Sequence, residues 1–164
     1  MKVLTDEEIQ FLISYPKVII TPPKTKLALT QGHYRNGMEL SSEDGKYRFT
    51  VFMRINEVFQ ENFTIGLRYH PADDPESIIL LRCNGPHGEH RGPLDSQDNH
   101  FWTYHIHLAR EIIIRQGLRS EAYAEETDKY SNYNDALSFF LRYCNIKNAD
   151  KYFTNTIQGS LFDQ

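Results

Sequence analysis

At 164 residues and a formal net charge of −4, the chain is the size of one compact domain, 1–164, and lacks the dense basic surface needed to coat nucleic acid non-specifically. That balance still admits a small cationic cleft on an acidic body. Cys83 and Cys144 form no CxxC pair and no apolar run reaches the ~18–20 residues of a membrane span, so a disulfide framework, a structural zinc site and a membrane protein are not expected, and the reducing cytoplasm is the expected location.

The first element is a helix. Thr5-Asp6-Glu7-Glu8 sets a hydroxyl and a glutamate three residues apart, the reciprocal arrangement of a capping box, and predicts a short amphipathic helix from about Asp6 to Ser14. Tyr15-Pro16 ends it, because the residue before proline is pushed out of the α region. "ITPPKTK" then reads as a stiff extended connector.

From about Lys26 to Leu108 the hydrophobic period becomes two. Tyr47, Phe49, Val51, Met53 and Ile55 alternate with Arg48, Thr50, Phe52 and Arg54, and Phe63, Ile65, Leu67 and Tyr69 alternate with Thr64, Gly66, Arg68 and His70, which predicts half-buried antiparallel strands. Asn36-Gly37 and Asp44-Gly45 carry turn chemistry, and "HPADDPES" is a second connector. "SIILLRC" predicts a central strand and "FWTYHIHLA" a strand rich in aromatic and β-branched residues. "REIIIRQGLRSEAYAEET" is ambiguous between strand extension and helix. "YNDALSFFLRYCNI" is a clear helix with Asn132 or Asn134 as its cap. The expected fold is therefore α+β, a single domain with an antiparallel β-sheet of four to five strands and N-terminal and C-terminal helices packed on one face.

Chemistry concentrates in "RCNGPHGEHRGPLDSQDNHFWTYHIH", Arg82 to His107, which holds five of the seven histidines. Residues i and i+2 of a strand point the same way, so His105 and His107 share one side of the sheet while Tyr104 and Ile106 take the other. Imidazole suits general acid–base work because one ring takes a proton while another gives one near neutral pH. An arginine alongside binds phosphate and offsets the charge that builds in phosphoryl transfer. RNA brings its own nucleophile, the 2′-hydroxyl, so a metal-independent ribonuclease needs little beyond a base, an acid and a cation. On this reading His105, His107 and His87 are the catalytic candidates, with Arg82 clamping phosphate. Asn84, His90, Arg91, Arg68 and Tyr104 are the substrate-binding candidates. No metal and no cofactor is required.

Two other readings fit the same residues. His105-x-His107-x3-Glu111 is similar to the first metal motif of the cupins, without its opening glycine or a second motif, and would suit zinc, iron or nickel. A His-x-His pair on a strand is also commonly a hydrogen-bonded structural pair. Tyr15, Tyr130, Tyr133 and Phe139 are expected to pack, Cys83 to be a buried strand residue, and Arg48 to face solvent.

Arg82-Cys83-Asn84-Gly85-Pro86-His87, then Asn99-His100, His105-Ile106-His107 and the later Asp135-Ala136-Leu137 resemble the TumE-like family of small toxins encoded beside helix-turn-helix antitoxins. The resemblance implies an antitoxin-controlled activity against RNA, with Arg82, Asn84, His87, His105 and His107 at the matching positions. Cys83 stands where that family has an acid, the stretch between the two histidine groups is longer, and the N-terminal segment and the tail after Asn145 have no counterpart. The implied partners are RNA and a cognate antitoxin. The alternative is a target protein bound by a non-catalytic phage or mobile-element inhibitor.

Overall fold

The computed structural model describes residues 2–86 and 102–153. Along the chain run α1 (Asp6–Ser14), β1 (Lys17–Thr21), β2 (Ala28–Thr30), β3 (His33–Ser42), β4 (Arg48–Asn56), β5 (Phe63–His70), β6 (Ile78–Asn84), β7 (His105–Leu108), α2 (Glu111–Arg115), β8 (Ala124–Glu126), α3 (Tyr133–Tyr143) and a 3-10 turn at Ala149–Lys151. The strands form one antiparallel sheet in the order β1-β3-β4-β5-β6-β7-β8, with β2 also on β3.

This corrects the expected architecture. The sheet has eight strands rather than four or five, and instead of terminal helices spread over one face the described chain has three short ones. Of the additional strands, β1 takes Ile20 and Thr21 from the expected ITPPKTK connector, and β2 and β8 carry no local signature. β2 is exposed along its whole length, and β8 is only three residues long. Such strands exist because a neighbour offers free backbone groups, and no apolar alternation marks them in advance.

Asn36-Gly37 is the instructive case. It lies inside β3, not in a turn. β1 pairs with Glu39 to Ser42 and β2 with His33 to Arg35, so both use the same edge of β3 and leave 36–38 between them. The Asn36 side-chain amide fills that gap: its Oδ1 accepts from the Lys24 backbone N–H (3.0 Å) and its Nδ2 donates to the Lys24 carbonyl (2.9 Å). An amide side chain here replaces a missing rung of the ladder. Asp44-Gly45 does make the β3–β4 turn, with Gly45 at φ +79°.

The two alternating runs become β4 and β5, and their predicted apolar sets, Phe49, Val51 and Met53 with Phe63, Ile65, Leu67 and Tyr69, are buried. Ile9, Leu12 and Ile13 of α1 and Leu137, Phe140 and Leu141 of α3 join them in one core. α1 spans the predicted residues because its capping box forms: Glu8 N donates to Thr5 Oγ1 (3.1 Å) and Thr5 N to Glu8 Oε1 (3.0 Å). Asn132 caps α3 by accepting from Asp135 N (2.8 Å).

Lys17 is fully buried at the meeting point of these layers. Its Nζ donates to the carbonyls of Ile13 (2.6 Å), Tyr15 (2.9 Å) and Cys144 (2.9 Å) and lies 4.7 Å from the centroid of the Phe49 ring. Ile13 and Tyr15 close α1, and Cys144 closes α3, so one ammonium satisfies orphan carbonyls at the negative ends of two helices. Burial pushes its pKa down to about 8.

Gly85 follows β6, where a Cβ would sit 1.8 Å from the Glu61 backbone oxygen. Backbone cannot swing aside as a side-chain tip can, so Gly85→Ala is expected to destabilise the fold by about 2 kcal/mol. A lower denaturant midpoint with an unchanged m-value would register that loss, and an unchanged midpoint would show that the two segments separate easily.

Candidate active site

β6 and β7 pair so that Asn84 lies opposite His105 and Arg82 opposite His107. Directly paired residues project to the same side of a sheet. The side in question is opposite to the one receiving Cys83, Tyr104 and Ile106, which belong to or pack against the apolar core. The imidazoles of His105 and His107 are neighbours there, with ring centroids 5.0 Å apart at an interplanar angle of 70°.

Backbone carbonyls orient both rings. His105 Nδ1 donates to the Thr103 carbonyl (2.8 Å), and His107 Nδ1 donates to the Glu121 carbonyl (2.8 Å). A carbonyl only accepts, so Nδ1 carries the hydrogen in each ring and Nε2 is the lone-pair nitrogen of the neutral imidazole. Both rings are buried, His105 at 0% and His107 at 4% exposure.

Glu121 is the residue that sequence reasoning missed. Its side chain is 6% exposed, with Oε1 3.9 Å from Arg82 Nε and 3.7 Å from Arg119 Nε, while its backbone oxygen holds His107. It follows the Gly117 turn, 14 residues beyond His107, and only the path of the chain between α2 and β8 brings it beside Arg82. The cysteine at the position where the TumE-like family has an acid is buried in the core, and burial raises its thiol pKa well above the usual range.

The polar side continues as a rank across six strands, in which successive partners are Arg35, Arg54, Thr64, Asn84, His105 and Glu126. Arg54 Nη2 and Asn84 Nδ2 each donate to Thr64 Oγ1, both at 3.1 Å. Asn84 Oδ1 is buried with no hydrogen-bond partner among the described residues. Arg68 shares this side, two residues from Gly66, the partner of Arg82. Its guanidinium lies 5.5 Å from the Phe52 centroid and donates to Ser77 Oγ (3.1 Å).

Tyr104 does not join the site. It packs on the core side with its ring 6.2 Å from Phe63 and 5.9 Å from Tyr130, and it lines an open groove of about 1180 Å³ with Tyr34, Ile55 and Tyr133. The Tyr130 hydroxyl lies 3.0 Å from the Asn84 carbonyl and 2.8 Å from that of His105, bracing the two strands from beneath. His87, His90 and Arg91 lie outside the described residues, as do Asn99 and His100. Glu111, the third member of the cupin-like pattern, accepts instead from Arg115 Nε (2.8 Å), and among the described residues no three potential metal ligands converge.

A family model covers residues 4–146, from the start of the N-terminal helix to beyond α3. The chain belongs to DUF6978, a family of unknown function. No curated protein and no solved structure matches the chain. The DUF6978 match includes every element from α1 to α3, so the histidine pair, Arg82 and Glu121 all belong to the family domain. No helix among the described residues of this DUF6978 chain is long and apolar enough to cross a membrane.

Proposed function

We propose that the protein is a small cytoplasmic toxin that cleaves RNA by metal-independent acid–base chemistry and is restrained by a cognate antitoxin. The observation that carries this reading is the pairing of two Nδ1-anchored imidazoles, 5.0 Å apart, with Arg82 directly opposite His107. One ring takes the 2′-hydroxyl proton at Nε2 as the oxygen attacks the adjacent phosphorus. The other, protonated, delivers a proton to the departing 5′-oxygen. Arg82 offsets the charge on the phosphoryl oxygens, and Glu121 holds both Arg82 and, through its carbonyl, His107 in place.

The chemistry fixes the products. Purified protein incubated with single-stranded RNA is expected to leave 2′,3′-cyclic phosphate and 5′-hydroxyl ends, equally with and without chelator. Intact RNA after incubation would overturn the reading.

The burial of both rings favours a second reading, in which the polar rank is structural and the protein inhibits a target by binding it. Recovery of one stoichiometric partner, with no cleavage of RNA, would establish it.

A further inference from the structure

The other end of the polar rank holds a second concentration of cations that the His105–His107 site does not use. Arg35 of β3 and Arg54 of β4 are direct cross-strand partners. His33 lies two residues before Arg35 and on the same side. Like charges directly opposite each other destabilise a sheet. No carboxylate of the described residues makes an ion pair with either guanidinium. Arg54 is half-buried and reaches Thr64 Oγ1, while His33 Nδ1 is buried with no hydrogen-bond partner among the described residues.

The neighbouring positions extend the imbalance. Arg48 and Arg68 occupy the same side of β4 and β5, where the acid is Glu39 on β3, paired with Thr50. A chain of net charge −4 thus places four of its ten arginines on one side of β3 to β5, and neither Arg35 nor Arg54 makes an ion pair among the described residues, while Glu57 acts on His33. Such a cluster persists when an anion completes it. The rank gives that anion a direction: Arg54 and Asn84 meet on Thr64 Oγ1, and Asn84 is the partner of His105. Three strand steps of ~4.8 Å separate Arg54 from His105, roughly 14 Å, within the span of a short oligonucleotide.

We propose that His33, Arg35 and Arg54 form a phosphate-binding subsite for the backbone of single-stranded RNA whose scissile bond lies at His105 and His107. The subsite rests on the RNA-cleaving reading for its ligand, but not for its test. The probe is a fluorescent single-stranded RNA oligonucleotide with 2′-O-methyl groups, which binds and cannot be cut, and anisotropy gives its Kd over a range of salt concentrations. Arg35→Ala with Arg54→Gln, the latter keeping a donor for Thr64, is expected to weaken binding about tenfold and to flatten the slope of log K against log salt by about 1.4, at ~0.7 for each phosphate that is no longer neutralised.

Arg35→Glu alone, at an exposed position, guards against misfolding of the double variant and is expected to weaken binding as well. Wild-type binding that neither variant changes would overturn the subsite, as would a wild-type protein that does not bind the probe. If the variants lose binding and wild type leaves natural RNA intact, the subsite stands and the cleavage reading falls. Cleavage by a wild type whose probe binding is indifferent to both variants gives the reverse.

Discussion

His107→Asn is expected to keep the fold and to slow RNA cleavage by about 10²–10⁴-fold. The asparagine amide nitrogen occupies nearly the place of Nδ1, so it still donates to the Glu121 carbonyl that anchors the wild-type ring. What disappears is Nε2, the atom to which the proposed mechanism assigns the proton transfer. A structural role would behave in the opposite way, since a buried donor preserved in place maintains stability and, with it, any function that depends only on shape. The measurements are thermal unfolding, expected within a few degrees of wild type, and initial cleavage rates at saturating RNA. A variant that folds and cuts RNA at the wild-type rate would remove His107 from the mechanism.

Lys17→Met is expected to lower stability by about 3 kcal/mol, because three carbonyls at two helix ends, two of them buried and that of Tyr15 partly buried, lose their donor at once. The loss also depends on pH. The folded pKa of Lys17, about 8, lies below its unfolded value of 10.5. Between these values the unfolded state holds more protons than the folded state, so stability contributed by this group rises with pH across that window; below pH 8 the burial of the charged form opposes folding in full. Cys144 runs the other way: burial lifts its thiol to about 12 from 9.0, which makes stability fall once pH passes 9. Because the Lys17 ammonium itself lowers the Cys144 thiol pKa, the comparison is made in chemical denaturation between Cys144→Ala and Cys144→Ala with Lys17→Met at each pH, which removes the thiol and keeps the backbone carbonyl that Lys17 uses. The difference should widen from about pH 8 upward, and a difference independent of pH between about 7 and 10 would refute the assignment.

Local signals were legible in the sequence wherever one segment decides its own conformation. Thr5 and Glu8 cap α1 without help, and the alternations in β4 and β5 mark which residues enter the core. The opposite projection of His105 and Ile106 follows from the strand period alone. Signals failed where a distant backbone decides. Asn36-Gly37 reads as a turn until Lys24 crosses beside it, and β2 and β8 are strands only because β3 and β7 lend them partners. The cation of the site was visible at Arg82, but its carboxylate was not, since nothing near Glu121 in the chain announces that it will face Arg82. Tyr104 illustrates the same limit: adjacent to His105 in sequence, it is separated from the imidazole by the thickness of the sheet.

The Lys17 clamp has a bearing on biosynthesis. The ammonium grips Ile13 and Cys144 together, groups that lie at opposite ends of the folded core's sequence. Until residue 144 has left the ribosome, the nascent N-terminal segment carries a solvated lysine whose last acceptor is missing. The clamp therefore cannot close before residue 144 has emerged, and any strand that lacks its final packing in that interval is exposed to aggregation.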